Sequence, residues 1–252
     1  MRFKKAYLIE SVILLGLILA YLSADFKMWE YDASVYSVAD SWLTMMQPME
    51  YTILLLPVLM IGTACDMKYD FLSWRILRYE SKQEIFVEQC KRAALRSAWF
   101  SALYLTVILM FGRAKGLELC TWNQTSSYFF RSNRCTYEGS LFEVILVLFL
   151  LCAIRNMFLS MMIVLSKWYL KNVMAGFLFP MGICIFEMCQ SALNGTEHLR
   201  IFLRRFMAEY SFWISRKMRG EMVLVLMLYG VLLFFMAVNI LKKKEFLDGK
   251  KS

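Results

Sequence analysis

The sequence predicts an all-α chain that crosses a membrane six times, with a cytoplasmic amphipathic helix after the second span and an outer amphipathic helical segment between spans five and six. Three observations lead there. Of the 252 residues, 60% are hydrophobic and 19% charged, and only 3 prolines interrupt them. Several apolar runs approach the ~20 residues that a helix needs to cross a ~30 Å hydrocarbon layer. These runs are continuous rather than alternating, which excludes the strand pattern of a membrane barrel. No linker, repeat or low-complexity tract divides the chain, so residues 1–252 read as one membrane domain.

The first span, Ala6 to Leu22, follows the basic start MRFKK; Leu22-Ser23-Ala24 is a poor cleavage site, so the segment is expected to stay as an anchor rather than be removed. The others are Met49 to Cys65, Ala93 to Phe111, Leu141 to Leu165, Val173 to Gln190 and Glu221 to Leu241. Lysine and arginine orient the bundle. Both termini are basic, and the first outer loop is acidic, with Asp25, Glu30, Asp32, Asp40 and Glu50 against Lys27. The expectation is a multi-pass membrane protein with its N- and C-termini cytoplasmic. The last outer segment, holding Arg200, Arg204, Arg205, Arg216, Lys217 and Arg219, runs against the rule.

Between spans two and three lies DFLSWRILRYESKQEIFVEQCKRAALRSAW, residues 70–99. Leu72, Ile76 and Tyr79 recur at helical spacing while Asp70, Arg75 and Arg78 take other positions around the turn, which describes an amphipathic surface helix. Its bland reading is an interfacial anchor, with Trp74 and Tyr79 at headgroup level and the arginines on phosphates. Ser81-Lys82-Gln83-Glu84 then has the capping-box form, so a new helix should start at Ser81. No Gly or Pro follows before Phe111, which gives one helix of about 30 residues, ~45 Å long. Its foot carries Glu84, Glu88, Lys91, Arg92 and Arg96.

In the outer segment, Thr196 can cap a helix whose Leu199, Phe202, Leu203 and Phe206 are apolar and whose Arg200 and Arg204 stand one turn apart. It would lie on the outer leaflet and bind lipid headgroups, or flank an exit path for an anionic or amphipathic substrate. Cys120 and Cys135 fall in one outer loop, where they form either a disulfide or two free thiols.

Charges inside the spans need reasons. Arg96, Glu143 and Glu221 lie near span ends and can snorkel to water. Arg155 lies mid-span, where an arginine needs a partner or a watery path, and Glu10 and Glu187 are the acids within reach. The pair is either a structural bridge between helices or a charge on a substrate path or gate.

Catalytic parts are missing from the sequence. There is no P-loop, no HExxH and no GxSxG, and the single histidine, His198, has no ligand or carboxylate cluster around it. No metal site and no catalytic residue is predicted. The basic residues are scattered along membrane boundaries, which argues against nucleic acid as a partner.

Taken together, FLSWRILRYESKQEIFVEQCKRAAL with its Arg-Tyr-x-Ser-Lys corner, the long fifth-to-sixth outer segment and the ending NILKKKEF resemble the permease subunits of type-2 ABC exporters, especially the small bacterial six-span members. The resemblance implies a non-enzymatic transport subunit that exports a peptide or an amphipathic, lipid-like compound, peptide antibiotics among them. Two permeases, identical or homologous, would meet in the lipid, above two ATPase subunits that bind the ATP and Mg. Trp74, Arg75, Arg78, Tyr79 and Ser81, with Lys82 and Glu84 of the corner, would form the coupling contact with the ATPase. The alternative is a non-transporting accessory, immunity or sensor protein. The outer loop with Cys120 and Cys135 is longer than the family pattern suggests.

Overall fold

A computed structural model of the chain describes residues 2–29, 35–67, 70, 79, 81–170, 173–192 and 219–243. Their regular structure is helical, with no β-sheet; one isolated bridge joins Val35 to Ser127. Helix α1 spans Arg2–Trp29 and α2 spans Val38–Met45. A short α3 (Pro48–Glu50) passes through a π-helical turn (Tyr51–Leu55) into α4 (Leu56–Met67). The rest are α5 (Lys82–Ala114), α6 (Tyr128–Asn133), α7 (Leu141–Leu170), α8 (Val173–Ala192) and α9 (Arg219–Lys243).

Three stretches are long and apolar enough to cross a membrane: Tyr7–Asp25, Gln83–Ala114 and Leu141–Leu170. The other predicted spans correspond to shorter apolar helices, Tyr51–Met67, Gly176–Phe186 and Met227–Asn239. The bundle also turns large apolar side chains outward. Leu8 and Val12 on α1, Leu95 and Met110 on α5, and Phe234 and Phe235 on α9 are all exposed. Water penalises such faces and lipid does not.

Helix α5 is the longest element and starts where the capping residues place it. Ser81 has extended backbone and its Oγ accepts from the Glu84 N–H at 3.2 Å, which satisfies one of the orphan donors of the first turn. Its 33 residues extend ~50 Å at 1.5 Å per residue. The far terminus closes on Gly116, whose φ of +79° is left-handed, with Leu117 N–H donating to the Gly112 carbonyl and Gly116 N–H to that of Arg113. That is a Schellman ending, which favours glycine at the left-handed position.

Against α5 pack α1, α4 and α7, with α8 on α7. Cross-links fix the antiparallel order. Glu10, Asp66, Arg96 and the Gln89–Trp168 pair meet at one end of the bundle, called the near end. The far end is a folded cap built from two loops. Val38 and Ala39 N–H groups donate to the Glu118 and Leu119 carbonyls, and Tyr128 N–H donates to that of Val35. Trp42 and Trp122 are both buried in it, and Trp122 stacks on Phe129 with ring centroids 4.4 Å apart.

Asp40 is the polar centre of this cap. Its Oδ2 accepts from Ser37 N–H at 2.9 Å and Ser37 O–H at 2.6 Å, and its Oδ1 accepts from Trp122 Nε1 at 2.9 Å. Burial pushes its carboxyl up to about 6, against the bonds from Ser37 and Trp122, which pull it down. Asp40 therefore belongs to a structural network rather than to a solvated acidic loop. The long loop after α5 has its physical role here, as the other half of the same cap. Cys120 and Cys135 within it are both free thiols in this structure.

Candidate functional site

The near end holds a buried charged network on four helices. Arg96 of α5, 1% exposed, places Nη1 2.6 Å from Glu10 Oε2 on α1 and Nη2 2.8 Å from Asp66 Oδ2 on α4. The guanidinium also lies over the Tyr7 ring, 4.5 Å from its centroid. Room for this comes from Gly62 on α4: a Cβ there would fall 1.8 Å from Arg96 Nη1 and 2.5 Å from Glu10 Oε1. One α-helical turn nearer the start of α5, Arg92 Nη2 donates to Asp70 Oδ2 at 2.6 Å. Gln89 Nε2 donates to the same oxygen at 3.1 Å, and Gln89 Oε1 accepts from Trp168 Nε1 of α7 at 2.7 Å. Asp66, Asp70, Gln89, Arg92 and Arg96 share one narrow crevice with Thr63.

A polar file continues upward from this network between α4, α5 and α7. Thr63 and Ser160 hydroxyls lie 3.2 Å apart. Asn156 donates to Ser101 Oγ at 3.1 Å and accepts from Tyr51 O–H at 2.6 Å. Cys152, Asn156 and Ser160 recur every four residues on α7, a polar stripe of the sort that fastens helices where no water competes. At the top of the file Arg155 stacks on Tyr51, its guanidinium carbon 3.4 Å from the ring centroid.

Several expectations change here. Arg96 does not snorkel; it is fully enclosed and carries two carboxylates. Arg92 likewise turns inward instead of sitting on a solvated foot, and Asp70 is 2% exposed rather than on a surface helix. Glu10 is not the partner of Arg155, because it is bonded to Arg96. The side chain of Glu187 lies outside the described residues, as do Trp74, Arg75, Arg78, the side chain of Lys82 and the outer-segment residues Arg200 and Arg204. Tyr79 is half-buried against the core, and Glu84 is exposed in the first turn of α5.

Asp66 and Gln89 are the members that sequence reasoning passed over, and it places Arg92 on the helix foot without a partner. A usable signal existed: Gln89, Arg92 and Arg96 fall three and four residues apart, on the same face as Ala93, Ser97 and Phe100, which are buried. A charged residue on the stripe that carries the small and aromatic core positions points inward.

Chemically, the network fastens helices to one another. It has two arginines and three carboxylates, and the described residues hold no group of His, Cys, Asp or Glu suited to a metal ion. Its lowest member, Asp70, opens the charged stretch 70–81, and Ser81 closes that stretch by capping α5. Both ends of the stretch are therefore tied to the foot of one stiff helix. Compared with family models, curated proteins and solved structures, the chain matches none of them.

Proposed function

We propose that this chain is the membrane-spanning permease subunit of an ATP-driven exporter of the type-2 ABC class. It moves a peptide or an amphipathic, lipid-like compound outward across a bacterial plasma membrane, and a separate subunit hydrolyses the ATP. The observation that carries the reading is the attachment of Asp70 and of Ser81, the two ends of the charged stretch, to the foot of α5. An ATPase pair that closes beneath a membrane can open a path above it only by moving an element that does not bend. Force delivered between Asp70 and Ser81 enters α5 through Arg92, Gln89 and the Ser81 cap, and leaves it through Arg96 to α1 and α4.

In this reading the six apolar helices are six crossings with both termini cytoplasmic, and the near end faces the ATPase. Trp74, Arg75, Arg78 and Tyr79 make the contact, and Ser81, Lys82 and Glu84 form its corner. A second permease copy or homologue completes the pathway. The test is co-purification with the ATPase subunits encoded beside this chain, using wild type and the double charge reversal Arg75→Glu with Arg78→Glu. Association is expected for wild type and lost in the double variant, with unchanged thermal stability of the permease. Failure of every such ATPase to bind, or association and transport that survive the reversal, overturns the proposal.

A further inference from the structure

Arg155 lies near the middle of α7, is 3% exposed, and none of Nε, Nη1 and Nη2 has a hydrogen-bond partner among the described residues. Its described contact is the face of Tyr51. A guanidinium cannot shed its proton, so it cannot escape burial by neutralising, as a carboxylic acid or a lysine does. The ring face of a tyrosine offsets only part of the cost of burying that charge. The balance is unfavourable until an anion arrives, and Glu10, one of the two acids the sequence offers as a partner, is committed to Arg96.

We infer that Arg155 is the head-group anchor of a binding site for an amphipathic anion, a carboxylate or phosphate monoester carried on an apolar tail. The planar fork of guanidinium donors pairs with both head groups in the two-pronged manner that a point charge does not match. Its surroundings suit a tail rather than a hydrated small ion. Tyr51 covers one face, and Cys152 and Cys184 flank the same ring. The Thr52 hydroxyl, one residue along, is buried without a partner and can add a single hydrogen bond.

The backbone supplies the movable part. Tyr51 opens the π-helical turn Tyr51–Leu55, which is held to α7 by the Tyr51–Asn156 hydrogen bond of 2.6 Å. Single π turns break the α-helical register and recur at functional sites. A head group that takes the guanidinium displaces the ring within a turn that is already irregular, so the straight helices on either side need not unwind. The site goes beyond the transporter reading and stands without it, because it involves this chain alone.

The experiment uses the purified full chain in nanodiscs of phosphatidylcholine at about pH 8, where a fatty acid head is ionised. Unfolding temperature is measured with dodecanoate, with dodecanol and with inorganic phosphate, for wild type, Arg155→Met, Glu187→Gln and the double variant. Dodecanoate should raise the wild-type unfolding temperature by several degrees, whereas dodecanol and phosphate should not. Arg155→Met should lose that shift and, without ligand, unfold no lower than wild type, because an uncompensated charge has been removed. An equal shift from dodecanol, a shift that persists in Arg155→Met, or stabilisation by phosphate alone overturns the assignment. So does a loss of stability in Arg155→Met that is matched by Glu187→Gln and not deepened in the double variant, since that marks a structural ion pair.

Discussion

Arg96 and Glu10 meet at 2.6 Å although 86 residues separate them in the chain, and the contact exists because Gly62, on a third helix, has no side chain. The pair ties the N-terminal helix to the foot of α5, and Asp66 adds α4 to the same guanidinium.

Arg96→Met should therefore cost about 3–5 kcal/mol, the range for removing one partner of a buried pair and leaving the other charge uncompensated. Thermal or denaturant unfolding in detergent measures it. Adding Glu10→Gln and Asp66→Asn to Arg96→Met should recover much of the loss. Gly62→Ala should behave like a milder Arg96→Met, because the added methyl takes the place of Nη1; an alanine as stable as wild type would mean the close approach is not real.

The far-end cap should weaken as pH rises. Asp40 has a folded pKa of about 6, above its ordinary value of 3.8, because burial disfavours the anion. A group shifted upward contributes stability that is fully present below the ordinary value and is lost as pH climbs through the folded one. Amide exchange around Val38 and Ala39, whose N–H groups bond across the cap, should speed up between about pH 4 and pH 7 beyond the intrinsic base dependence. Asp40→Asn should flatten that extra slope, at the cost of a mismatched donor facing Ser37 and Trp122.

Ser81→Ala removes the acceptor for Glu84 N–H and should destabilise the start of α5 by about 1 kcal/mol. Exchange at Glu84 should rise while that at Tyr104, deep in the same helix, stays unchanged. Ser81→Asp should restore protection.

Cys120 and Cys135 should react with a membrane-impermeant thiol reagent to the same extent before and after reduction. Burial raises the Cys120 thiol above its ordinary range, so less thiolate is present at neutral pH and its labelling should be slow. Labelling that appears only after reduction would establish the bond that the structure lacks.

What the sequence could reveal was set by distance along the chain. The long apolar helices α1, α5 and α7 follow from continuous hydropathy, and the start of α5 follows from four consecutive residues at Ser81. Arg96 was misjudged because a charge near a span end looks the same from sequence whether it reaches for water or for Glu10. Only the packing of α1 and α4, and the hole at Gly62, decides between them. The cap was hidden for the same reason: Ser37-Val38-Ala39-Asp40 has a helix-start pattern in plain view, yet Trp122, which completes it, lies 82 residues past Asp40.

That separation sets an order of assembly. Val35, Val38 and Ala39 find their backbone partners only between Glu118 and Tyr128, and Trp122 is in turn secured by Tyr137 N–H. During synthesis the first part of the bundle must therefore wait, with Asp40 short of a donor, until α4, α5 and the loop behind them have been made. The clasp closes late, and a nascent chain halted before Tyr137 has all the helices it needs to begin the bundle but nothing to lock it.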